Sequence, residues 1–135
     1  MKYFTLSEFV DSMVARRYSI DNTPPAEAVA NIEALVSCVL DPAREIFGAP
    51  VRVNSGYRCR RLNAAVGGAT DSQHMSGEAA DLNTGSLQGN RRLYEILCDL
   101  PHDQLIWERG NAKGPAWVHV SYRREGVNRG EELRL

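Results

Sequence analysis

The sequence predicts an α+β domain, with amino-terminal helices packed on a small, mainly antiparallel sheet. Three observations predict it. Apolar residues recur at three-and-four spacing before Gly48, the period of one helix face. Short alternating runs follow, the period of half-buried strands. Helices come first and strands later, so regular βαβ units are not expected.

The elements follow in order. Ser7 is placed to cap a short amphipathic helix carrying Phe9, Val10, Met13 and Val14. Asp21-Asn22-Thr23-Pro24-Pro25 then breaks the chain, and Thr23 before Pro24 reads as the next helix start. Val29, Ile32, Leu35, Val36 and Val39 form its apolar face. Asp41-Pro42 restarts a shorter helix through Phe47, stopped by Gly48 and Pro50. Val51 to Asn54 alternates as a strand, and Ser55-Gly56-Tyr57-Arg58 turns out of it. Arg60 to Val66 is a short helix ended by Gly67-Gly68, and Glu78 to Leu82 a short strand. Leu93, Ile96, Leu97 and Leu100 mark a helix over 87–100. Gln104 to Glu108 and Trp117 to Tyr122 read as two strands joined by a long loop. Residues 125–135 are charged and glycine-containing, expected as a frayed tail or edge structure.

The chain has 135 residues, a length that supports one domain with its own core. Hydrophobic residues make up 43% and charged residues 24%, so disorder is not expected. The net charge of −1 argues against a nucleic-acid footprint or a polybasic membrane patch. No apolar run approaches the roughly 20 residues of a membrane span. Glu8 and Asp11 fall where a signal peptide needs apolar residues, so synthesis in the cytoplasm without a standard signal is expected. Cys38, Cys59 and Cys98 form no C-x-x-C pair and read as reduced thiols, Cys38 and Cys98 within apolar helical patterns.

The chemistry concentrates on two of three histidines. His74 and Asp81 lie seven residues apart in Ser72-Gln73-His74-Met75-Ser76-Gly77-Glu78-Ala79-Ala80-Asp81. On a strand over 78–82, Asp81 shares a face with Ala79, beneath a loop carrying His74. A buried carboxylate needs a partner, and a metal or a cation supplies one. In the run from Trp117 to Tyr122, His119 shares a face with Trp117 and Ser121. Two imidazoles and one carboxylate with an open fourth position make a hydrolytic zinc set rather than a calcium or magnesium site. Each residue also has a plainer reading. His74 fits a surface loop, Asp81 a strand end, and His119 a satisfied strand histidine; His102 reads as a turn residue.

These blocks resemble a known family. Ser72-x-His74-x-x-Gly77-x-Ala79-x-Asp81, followed by Trp117-Val118-His119-Val120-Ser121, resembles the zinc D-alanyl-D-alanine carboxypeptidases, which have the hedgehog/DD-peptidase fold. Phe4-Thr5-Leu6-Ser7-Glu8, Asp21-Asn22-Thr23-Pro24, Ser55-Gly56-Tyr57-Arg58 and Asn63-x-x-Val66-Gly67-Gly68 resemble a compact bacterial and phage branch of it. The resemblance implies one Zn²⁺ on His74, Asp81 and His119. It implies Arg58 as the group that binds the substrate carboxylate or polarises the scissile carbonyl, and Ser72 as a substrate neighbour. The implied substrate is a peptidoglycan stem peptide, met by a monomer released to the cell wall as a phage-type lytic protein.

One position departs from the family pattern. An acidic general base is usual three residues before the last histidine, and here that residue is Ala116. A methyl group takes no proton, and general-base catalysis is worth about 10²–10⁴-fold. Glu108 is the candidate replacement, ending the neighbouring strand on one face with Gln104 and Ile106; it also reads as a solvent-facing strand end. Glu78 faces away from Asp81 by alternation. Two functions therefore compete: a zinc peptidase, and a catalytically silent member that binds zinc and a cell-wall peptide or a partner protein. A purely structural zinc domain fits less well, since three ligands leave the shell open.

Overall fold

The computed structural model describes residues 1–135. Its five strands are β1 (Arg52–Ser55), β2 (Ala79–Asn83), β3 (Gln104–Glu108), β4 (Trp117–Ser121) and β5 (Glu131–Arg134). They form one sheet in the order β1-β2-β4-β3-β5. Only β5 runs parallel to its neighbour, β3; the other pairings are antiparallel. The α+β architecture expected from the sequence is therefore the one observed. No helix is long and apolar enough to cross a membrane.

Alternation divides the sheet into two faces with different work. Ala80, Leu82, Leu105, Trp107, Val118 and Val120 point into the core. There they meet Ile32, Leu35, Val36, Val39, Leu93 and Leu97 from the helices. Each fully buried Leu or Val contributes roughly 1.5–3 kcal/mol. The other face carries Asp81, His119, Ile106 and Glu108. Register sets Asp81 opposite His119, and His119 opposite Ile106. A one-residue slip would send every one of these side chains into the core, so the apolar face holds the polar face in register.

The helices are α1 (Leu6–Val10), α2 (Met13–Arg17), α3 (Ala26–Leu35), α4 (Asp41–Phe47), α5 (Arg60–Ala65) and α6 (Leu87–Cys98). Three differ from the sequence expectation. The first expected helix is two helices, because Ser12 accepts from Ala15 N at 3.2 Å and starts a new one. Thr23 caps no helix: its N–H and hydroxyl both donate to Asp21 Oδ1, closing a local turn, and α3 begins at Ala26. Nor does the chain break at Asp41-Pro42. A π-helical turn over Val36–Leu40 joins α3 to α4, with Asp41 N donating to the Val36 carbonyl five residues back. Val36 and Val39 face the core on that turn, and Cys38 is exposed rather than buried. All three cysteines are free.

The tail is an ordered edge strand. Asp103 is fully buried and gathers it. Its Oδ1 accepts from Arg129 N and Nε, each at 3.0 Å; its Oδ2 accepts from Arg129 Nη2 at 2.8 Å and Gln73 Nε2 at 3.0 Å. Glu131 N donates to the Asp103 carbonyl, and Arg134 lies 4.1 Å over the Trp107 ring. His102 is likewise buried rather than in an open turn, with Nδ1 donating to the Leu100 carbonyl at 2.8 Å.

Burial alone would raise the Asp103 carboxyl, but its hydrogen bonds from Arg129 and Gln73 and the charge of Arg123 hold it at about 2. The folded chain thus holds this group below its unfolded value of about 3.9, so protonation favours unfolding. Asp103→Ala should lower stability by about 2 kcal/mol at neutral pH. The gap between wild type and variant should be full above about pH 4 and close as the pH falls toward 2. Denaturant melts across that range check it; a gap independent of pH would contradict it.

Candidate metal centre

The centre is assembled from a short 3₁₀ turn and two neighbouring strands. Gln73–Ser76 forms the turn, entered through Ser72, whose Oγ accepts from His74 N at 3.2 Å. Gly77 closes it at φ +77°, and a Cβ there would sit 2.5 Å from the Ala28 carbonyl oxygen. That close approach seats the turn against α3, where Asn31 Nδ2 donates to the Ser76 carbonyl at 2.9 Å. His74 is thereby buried, with Nδ1 donating to the Gly56 carbonyl at 2.7 Å. With that nitrogen protonated, Nε2 carries the free lone pair. It lies 3.4 Å from Asp81 Oδ1.

His119 completes the group from β4, with Nδ1 3.0 Å from the same Asp81 oxygen. The two imidazoles meet edge to face, centroids 5.2 Å apart. All three donor atoms lie within 4.8 Å of one another. Tetrahedral zinc with bonds of about 2.0–2.1 Å needs donors about 3.4 Å apart. The donor set and its spacing fit that ion. Burial would raise the Asp81 carboxyl, but the hydrogen bond with His119 and the closeness of both imidazoles hold it well below the usual carboxylate range.

Arg58 stands over the same carboxylate, Nη2 to Asp81 Oδ2 at 3.5 Å. Its Nε donates to Ser55 Oγ at 3.0 Å and its Nη1 to Asn63 Oδ1 at 3.3 Å. Burial draws the guanidinium below its ordinary value, and Asp81 opposes that shift. Asn22 brackets Arg58 along the backbone: it donates to the Tyr57 carbonyl and accepts from Cys59 N. Arg58 N in turn donates to the His74 carbonyl at 3.0 Å. Asn22, Ser55, Gly56 and Asn63 belong to the motif blocks recognised in the sequence, but no spacing rule showed that they orient Arg58 and His74.

Two clefts flank the group across the sheet. One, of about 680 Å³, borders β1 and is lined by Ser55, Arg58, Met13, Val14 and Leu62. The other, of about 390 Å³, borders β3 and β4 and is lined by Ser72, Ile106, Glu108, His119 and Arg123. Glu108 is half-buried there, on the site face; burial raises its carboxyl, with His119 opposing. Ala116 N donates to the Glu108 carbonyl at 2.9 Å, so the acid-free position and Glu108 are cross-strand neighbours. The Ala116 carbonyl is held by Asn83 and Asn90.

Gly56 tests how tightly the centre is framed. A Cβ on it would fall 2.6 Å from the Phe9 backbone. Gly56→Ala should cost about 1–3 kcal/mol and displace the carbonyl that orients His74. A thermal melt should show the first effect and titration with added Zn²⁺ a weaker affinity. Unchanged zinc affinity would contradict this frame.

Comparisons with known proteins agree with this geometry. A family model described as Peptidase M15 matches residues 2–121. The zinc D-Ala-D-Ala carboxypeptidase of Streptomyces albus G is 46% identical over 61 residues, 44% of this chain and 24% of that protein. The chain thus spans about a quarter of that relative's length. Because the family match runs through the His74 turn, Asp81, Arg58 and His119 and covers most of the chain, the protein belongs to the M15 peptidase family.

Proposed function

We propose that the protein is a zinc peptidase hydrolysing peptide bonds in peptidoglycan stem peptides, of the D-Ala-D-Ala carboxypeptidase or endolysin type. The observation that carries this is the convergence of His74, Asp81 and His119 within 4.8 Å beside a fixed Arg58, in an M15 family member. The name of the Streptomyces relative supports the metal and the substrate class.

His74, Asp81 and His119 would hold the ion, leaving a fourth position open. A zinc ion held by these three residues would supply Lewis acidity and acidify a water at the open position. The residues of the chain do the rest. Arg58, held by Ser55 and Asn63, offers planar donors to a carboxylate or to the carbonyl oxygen that gains charge. Ser72 Oγ accepts from His74 N, which leaves its own proton free for the substrate. Glu108 takes the proton of the attacking water and returns it to the leaving amine. Its carboxyl, raised by burial, is a better base than an exposed one.

A second reading rests on Ala116. With no carboxylate at the usual place, the chain would bind zinc and a stem peptide without cutting it. Hydrolysis of a D-Ala-D-Ala-terminated peptide by zinc-loaded protein separates the two. The peptidase reading predicts turnover, a fall of about 10²–10⁴-fold in Glu108→Gln, and loss of stoichiometric zinc in His119→Ala. Turnover that appears only in Ala116→Glu would establish the silent reading instead.

A further inference from the structure

We propose that Arg123 forms a carboxylate-binding subsite on the side of the centre opposite Arg58, one that reads an acidic group on the acyl part of the peptide. This rests on the peptidase reading for its ligand class. The structural reason lies in the valence of Asp103. A carboxylate has about four lone-pair positions. Arg129 N and Nε fill those of Oδ1; Arg129 Nη2 and Gln73 Nε2 fill those of Oδ2. Arg123 adds a fifth contact, an ion pair outside those hydrogen bonds, with Nε at 3.3 Å from Oδ2. Two guanidiniums thus share one fully buried anion, and the further acid near them, Glu131, acts on Arg129 and forms no ion pair with Arg123.

Arg123 is the less engaged of the two guanidiniums. Arg129 grips the carboxylate with two parallel hydrogen bonds, whereas Arg123 touches it through Nε alone. Its two terminal nitrogens have no hydrogen-bond partner in the protein, and its side chain is 41% exposed. It lines the cleft that also holds His119, Ser72 and Glu108. The acids of that cleft, Asp71 and Glu108, form no ion pair with it. A fork anchored at its base, with both tips free, is preorganised for an oxygen pair.

The reach fits a peptide. Three residues of chain separate His119 from Arg123, a span of no more than about 14 Å. A carboxylate on the third residue before the scissile bond lies about 10 Å back on an extended chain, plus the length of its own side group. With the leaving group directed to the Arg58 cleft, the acyl chain runs over β4 and β3 toward Arg123.

The test uses two synthetic pentapeptides ending in D-Ala-D-Ala. They differ only in a free carboxylate or a carboxamide on the second residue. Their dissociation constants are measured on zinc-loaded protein, and kcat/KM where turnover occurs. Wild type should favour the carboxylate peptide by about tenfold. Arg123→Gln should bring the ratio toward one; the fold is not at risk, because Arg129 and Gln73 still satisfy Asp103. Equal binding of the two peptides by wild type, binding of neither, or a ratio that survives Arg123→Gln would overturn the subsite. Absence of hydrolysis alone counts against the peptidase reading, and the binding ratio still decides the subsite.

Discussion

A carboxylate taken out of water next to two imidazoles and a guanidinium is the constraint on which this structure turns. Asp81 sits mid-strand, and its oxygens meet His74, His119 and Arg58 at 3.0–3.5 Å. Leaving such a group buried and unpaired would be costly. Each partner therefore has to arrive in place, and each comes from a different part of the chain. His119 comes by sheet register, His74 by a turn wedged against α3, and Arg58 by a loop bracketed by Asn22. The folding of those parts and the assembly of the centre are one event.

The sheet separates two demands that conflict. A core needs apolar burial; a cluster of two imidazoles, a carboxylate and a guanidinium needs polar surroundings and access to solvent. Alternation along β2, β3 and β4 gives one face to each. The helices close the apolar face, and on the site face a cleft lined by His119, Ile106 and Glu108 stays open, with a second cleft at Arg58 beside β1. At the far end Asp103 ties the His74 turn, through Gln73, to the carboxy-terminal strand. The last residues are thus structurally joined to the turn that carries His74, although they lie beyond the segment matched by the family.

Much of this was legible in the sequence, and the limits have physical causes. Sequence pattern found α6 and all four antiparallel strands, most clearly α6 and β4, whose apolar residues share one face. The His74–Asp81 block and the His119 strand were found from residue type and alternation. What local pattern misjudged was decided by side chains reaching the backbone. Ser12 split the first helix, Asp21 consumed Thr23, and a π turn carried the chain past Pro42. Two features were not readable at all. β5 depends on Asp103 and Trp107, more than twenty residues away in sequence, and the Arg58 frame depends on Asn22 and Asn63. Only the folded chain brings those partners together.

His74, Asp81 and His119 are together the proposed protein ligands of one zinc ion. Diffraction from zinc-loaded crystals on either side of the zinc absorption edge tests this assignment most directly. The account predicts a single anomalous peak bonded to one nitrogen of His74, one of His119 and an oxygen of Asp81, with zinc–nitrogen distances of about 2.0–2.1 Å. A peak elsewhere on the chain, or zinc-saturated crystals with no peak among these three residues, would contradict it.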